Sequence, residues 1–137
     1  MKRVIFAIVA VVGMLSCSTN RTNPNTTISG RFVGSGVDSI YLERISDNFD
    51  FHERVAAARL EDNGAFSFEI AVEEEQTPRF YRISYDGGSR PVTLVVAPKD
   101  NITLESVGEI FLNYEVEGSE ESALIREFNR DYFKACD

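Results

Sequence analysis

The stretch Asp62-Asn63-Gly64-Ala65-Phe66-Ser67-Phe68-Glu69-Ile70-Ala71-Val72 decides the fold class. Phe66, Phe68, Ile70 and Val72 fall on one side of an extended chain and Ser67 and Glu69 on the other, the mark of a strand with one core face and one wet face. A helix would scatter the same four apolar residues around its circumference. Asp62-Asn63-Gly64 supplies residues that tolerate positive φ between Leu60 and Phe66, so a hairpin is expected there.

Working outward, period-two patterns cover residues 28–33, 39–45, 55–60, 80–85, 92–97 and 102–107. Ile110, Leu112, Tyr114 and Val116 alternate against Asn113, Glu115 and Glu117, which predicts a further strand with Leu112 and Tyr114 inward. Residues 92–97 are apolar on both faces, so this strand is expected to be central. Asp86-Gly87-Gly88 and Pro98-Lys99-Asp100-Asn101 carry turn chemistry, and Gly34-Ser35-Gly36 lacks the context of a phosphate loop and reads as a turn. Short strands at such spacing predict an all-β fold, an antiparallel β-sandwich or barrel-like meander of about seven or eight strands over residues 28–118. Parallel α/β folds are disfavoured. One C-terminal α-helix follows over 119–137: Ser119 can cap it, Glu120 and Glu121 suit the positive end of its dipole, and Leu124, Ile125, Phe128 and Tyr132 form an apolar stripe with Phe133 beside it.

The 137 residues suit one domain, and 10 Phe and 5 Tyr are the composition of a packed chain. A net charge of −8 without clustered Lys or Arg argues against nucleic-acid binding. Residues 1–16 read as a signal peptide, with Lys2 and Arg3 before an apolar run shorter than the ~20 residues that span a bilayer. Met14-Leu15-Ser16-Cys17 is similar to a bacterial lipobox, so Cys17 is the expected lipidation site; an ordinary signal peptide with an incidental cysteine is the alternative. Residues 17–27, polar and rich in Asn and Thr, read as a flexible tether. The expected location is the bacterial cell envelope, anchored to the membrane through lipid and facing the periplasm.

Chemistry-bearing constellations are few. His52 is the one histidine, so a two-histidine metal site is not expected. Beside Asp47, Asn48, Asp50 and Glu53 it would at most join a cation site, and a polar loop with Asx turns explains this segment better. No Gly-x-Ser-x-Gly elbow accompanies it, and Glu73-Glu74-Glu75 reads as a solvated loop before Pro78. No metal, cofactor or catalytic residue is expected. With Cys17 lipidated, Cys136 has no internal partner and is either a thiol for mixed disulfides or an inert terminal residue.

Ile28-Ser29-Gly30-Arg31-Phe32, Ser39-Ile40-Tyr41-Leu42 and Asp62-Asn63-Gly64-Ala65-Phe66-Ser67-Phe68 carry a resemblance that continues through Pro78-Arg79-Phe80-Tyr81, the run from Val95 to Ile102, and Glu117-Gly118-Ser119. In this order they resemble the N-terminal domain of unknown function that precedes thioredoxin-like, peroxiredoxin-related thiol-disulfide oxidoreductase domains in bacterial lipoproteins. The resemblance covers nearly all of the expected mature chain. Residues 123–137 then correspond to the helix leading into the catalytic domain, whose Cys-x-x-Cys has no counterpart here. The resemblance implies a noncatalytic accessory or interaction module with a thioredoxin-like protein or domain as partner. Independently of it, the stripe of Leu124, Ile125, Phe128 and Tyr132 has more apolar surface than a terminal helix of a lone sandwich needs, so it either folds back on the sheet or awaits a partner, and these four are the expected partner-binding residues, with self-association as the alternative for that surface. A stand-alone β-sandwich lipoprotein that binds a peptide, glycan or small molecule is the alternative. If Cys17 is acylated, wild-type protein enters the detergent phase on phase separation and the Cys17→Ala variant stays in the aqueous phase. Retention of the variant in membranes contradicts the lipid anchor.

Overall fold

The computed structural model describes residues 23–46, 48, 50, 52–73, 79–86 and 90–136. The expected signal peptide, the expected lipidation site Cys17, Asp47 and most of the expected tether lie outside them. The elements are β1 (Thr26–Val33), β2 (Ser39–Ile45), β3 (His52–Arg59), β4 (Ala65–Ile70), β5 (Arg79–Tyr85), β6 (Val92–Val96), β7 (Asn101–Val107), α1 (Ile110–Asn113), β8 (Glu115–Glu117) and α2 (Glu120–Cys136). They form a sandwich of two four-stranded sheets, ordered β4-β1-β7-β8 and β3-β2-β5-β6, with the C-terminal helix beside it.

Inward residues of both sheets make one core. Ile28, Phe32, Phe68, Ile102 and Leu104 from the first sheet meet Ile40, Leu42, Ile83, Leu94 and Val96 from the second, each at most 2% exposed. In β4 the burial alternates as the sequence predicts, with Phe66, Phe68 and Ile70 inside and Ser67 and Glu69 outside. Phe32 and Phe66 add a tilted ring contact at 4.7 Å.

The chain does not run as a meander. The turn at 62–64 carries it from β3 in one sheet to β4 in the other, so the expected hairpin is a crossing between layers. Gly64 takes φ +86°, and a Cβ there would stand 2.3 Å from the Phe32 carbonyl oxygen. Its own carbonyl accepts the Phe32 N–H at 2.9 Å, which docks the turn on β1. One pair is parallel: β1 runs beside β7, from Thr27 opposite Asn101 to Val33 opposite Val107, because the intervening strands lie partly in the other layer. The start also differs, since β1 begins at Thr26. Asn25 accepts from the Val72 amide and donates to its carbonyl, so the last residues of the expected tether belong to the domain.

Three further expectations fail. The alternation from Ile110 to Val116 is not one strand: the Glu109 carboxylate accepts the Leu112 N–H at 2.9 Å, capping the single turn of α1, and Leu112 is 58% exposed. Tyr114 is nonetheless buried, and Val116 points inward from β8. Strand β6 is an edge strand rather than a central one. Its apolar character is explained by α2, which lies along its free edge. In β2–β3 a register shift between Leu42 and Glu43 accommodates an extra residue, and His52 pairs with Ile45 inside β3 instead of sitting in a loop. That irregularity and the exposed Glu53 and Arg54 protect this edge from pairing with another chain.

Replacing buried Phe68 with Ala is expected to cost about 3–5 kcal/mol in urea unfolding. Glu69→Ala, next to it on the wet face, should stay within about 0.5 kcal/mol. Equal losses would contradict this facing of β4.

Candidate functional site

Two surfaces carry chemistry, and both are set by how α2 is held. An edge strand presents unpaired backbone groups, which need partners where a helix covers them. Gly118 makes the approach possible with φ +96°, because a Cβ would lie 2.2 Å from the Asn101 carbonyl oxygen. Ser119 then accepts the Ser122 N–H at 3.2 Å, the expected cap, and donates to the Val95 carbonyl at 2.9 Å. The Ser122 hydroxyl accepts the Val95 N–H at 2.8 Å. One turn further, Arg126 donates from Nε to the Tyr114 carbonyl at 2.6 Å and from a terminal nitrogen to Glu115 at 2.7 Å. Arg130 reaches the same Glu115 oxygen at 3.2 Å.

The inner side of α2 is therefore polar, and the apolar stripe turns outward. Leu124, Phe128 and Tyr132 are 65%, 67% and 53% exposed, and Ile125 is half-buried. Phe128 and Tyr132 stack at 6.1 Å. Phe133 leaves this stripe and packs edge-on against Phe111 at 5.6 Å. Cys136 is a free, exposed thiol at the end of the helix.

The second surface is an open hollow of about 190 Å³ between α1 and α2, bordered by Phe111, Tyr114, Arg126, Asn129, Phe133 and Lys134. Sequence reasoning missed it. The signal was the 4-3-4 spacing of Ser122, Arg126, Asn129 and Phe133, a second stripe opposite the apolar one. Burial pushes the Tyr114 phenol above its ordinary pKa, and the Asn129 amide tempers that rise. Tyr85 is raised by burial and then by the Glu109 charge, and Tyr81 by burial against the opposing pull of Arg44 and Arg79.

The segment around His52 behaves as a local polar network. Asn48 accepts from Ser46 and from the Asp50 amide, an Asx-type arrangement. Glu53 pairs with Arg44 at 2.6 Å, while His52 lies against Arg82 and 3.8 Å from Glu43. Arg82 holds buried Glu43 at 2.7 Å. Among the described residues no group of three or more His, Cys, Asp or Glu is placed to hold a metal ion. No described helix is long and apolar enough to cross a membrane.

These features define an all-β sandwich with an edge-capping helix. No family model matches the chain, and no curated protein does. Among solved structures it is similar to a crystal structure of (S)-allantoin synthase, at 11% identity and a TM-score of 0.47, over 72% of this chain and 45% of that one.

The raised phenols have a pH consequence. An unfolded tyrosine ionises near pH 10, and a folded one held above that stays neutral longer, so the folded state binds more protons in between. The stability held by Tyr81, Tyr85 and Tyr114 is whole below about pH 10 and is lost as pH rises towards their folded values. Urea midpoints should fall above pH 10, and less steeply for Tyr114→Phe. An unchanged slope in that variant contradicts the assignment.

Proposed function

We propose that this chain is a noncatalytic, lipid-anchored accessory module of the bacterial cell envelope, and that the outward face of α2 is its contact surface for a thioredoxin-like protein or domain. The observation that carries the reading is the exposure of Leu124, Phe128 and Tyr132 on a helix whose opposite side is committed to hydrogen bonds with the sandwich. Such a ridge loses solvation free energy until something covers it. Its i, i+4, i+8 spacing is that of anchors laid into a partner's groove. Exposed Glu120, Glu121, Glu127 and Asp131 flank it, which favours a partner with a basic rim over a second copy of the same acidic helix. Cys136 stands one turn beyond Tyr132, where its thiolate can attack a partner's disulfide, forming a mixed disulfide and releasing the partner's other thiolate.

The test compares wild type, Phe128→Asp and Cys136→Ser by co-purification from envelopes, with mass-spectrometric identification of bound protein, and by sedimentation. A thioredoxin-like protein should accompany wild type and be lost from Phe128→Asp with folding intact. Cys136→Ser should lose the disulfide-linked fraction alone. Identical partners and mass in all three would contradict the reading.

A further inference from the structure

The register shift in β2–β3 decides which side chains share a face with buried Glu43. Counted on from Leu42 opposite Ala56, an unbroken antiparallel register would set Val55 opposite Glu43 and Glu53 opposite Ile45. The observed pairs are Glu43 with Arg54 and Ile45 with His52. One extra residue therefore turns His52 and Arg54 onto the face of Glu43 and sends Glu53 to the other, the re-aiming that a bulge performs. Strand β5 adds Arg82 directly opposite Glu43.

The cluster that results contains one bond that depends on charge. Arg82 donates from Nε to Glu43 at 2.7 Å, and its terminal nitrogen is in hydrogen-bond contact with His52 Nε2. A guanidinium stays protonated and has only donors, so Nε2 is the acceptor and the ring is neutral, with its proton on Nδ1. A protonated ring has two donors and no acceptor, and this bond cannot survive in it. The surrounding charges leave Glu43 as the other partner. Arg44 and Glu53 pair with each other at 2.6 Å, Arg54 lies 3.9 Å from the Tyr41 ring centre, and Asp50 accepts from the Asn48 amide. The Glu43 Oε1 atom is 3.8 Å from Nε2 and already holds Arg82. With its side chain 45% exposed, His52 is the member of the cluster with room to turn.

We propose that His52 is a proton-operated latch between β3 and β5. Neutral, the ring accepts from Arg82 and ties the first residue of β3 to β5 across β2. On taking one proton from solvent it releases the Arg82 terminal nitrogen and turns Nε2–H to the Glu43 carboxylate, which then holds both cations. Histidine is the side chain whose charge ordinarily changes under mild acidification, so the edge strand β3 is held at its start by one contact in neutral medium and by another in acid.

Because the chain has one histidine, long-range ¹H–¹⁵N correlation of its imidazole reads tautomer and charge without ambiguity. At about pH 8 the Nδ1–H form should predominate, against the preference of a free imidazole side chain for a proton on Nε2. Between about pH 8 and about pH 5 the Arg82 Nε–H signal and the amides of Ile45 and Glu53 should move in one transition that coincides with the ring's own titration. His52→Gln keeps an acceptor for Arg82 but takes up no proton, so its Arg82 signal should stay at the neutral position throughout. Arg82→Gln should return the ring to the Nε2–H form. A proton on Nε2 in the wild type at about pH 8, an Arg82 signal that does not follow the ring, or the same acid transition in His52→Gln would overturn the proposal. None of these readings involves α2, so the latch and the proposed docking surface fail separately.

Discussion

The hydrogen bonds from Ser119 and Ser122 to the backbone of Val95 are the constraint on which the rest of this structure depends. A two-layer sandwich has four edges, and each one leaves backbone donors and acceptors without partners. Here β3 and β4, edges of opposite sheets, are drawn together by the turn at 62–64. The other two edges, β6 and β8, are bridged by α2, with serine hydroxyls on β6 and Arg126 on the carbonyl just before β8. A helix with an apolar inner face would leave these groups buried and unsatisfied, at about 1–3 kcal/mol each.

From this constraint follows the inversion of α2. The residues that bury are Ser122 and Arg126, and the residues that stand in water are Leu124, Phe128 and Tyr132. The helix spends its polar side inward because a sheet edge is a polar surface, unlike the apolar faces on which amphipathic helices usually pack. Binding Tyr114 through its carbonyl also fixes the wall of the hollow beside α1. Both candidate surfaces are thus products of the same anchoring.

The sequence made much of the core legible. Strict alternation in β4 placed Phe66, Phe68 and Ile70 correctly, because a half-buried strand repeats every two residues without exception. The layer assignment was not legible, since Asp62-Asn63-Gly64 has the same chemistry whether a turn joins paired strands or crosses between sheets. Residues 110–116 misled for a related reason: Ile110, Tyr114 and Val116 are buried, and one capped turn at Glu109 throws Leu112 out while keeping them in. The apolar run of β6 looked central because a helix at an edge shields a strand as another strand would. At the site, the stripe of Leu124, Ile125, Phe128 and Tyr132 was readable from spacing. The hollow was not, because its parts come from α1, the segment before β8 and the buried side of α2, which chain order does not bring together.

Urea unfolding of Arg126→Ala beside Phe128→Ser tests most directly whether α2 is held by its polar side. Removing the Arg126 side chain deprives the Tyr114 carbonyl and Glu115 of a charged donor, so a loss of about 2–3 kcal/mol is predicted. Phe128→Ser, at a residue 67% exposed, should change stability by no more than about 0.5 kcal/mol. A large loss in Phe128→Ser with little change in Arg126→Ala would contradict the account, because it would mean that the apolar stripe packs on the sandwich.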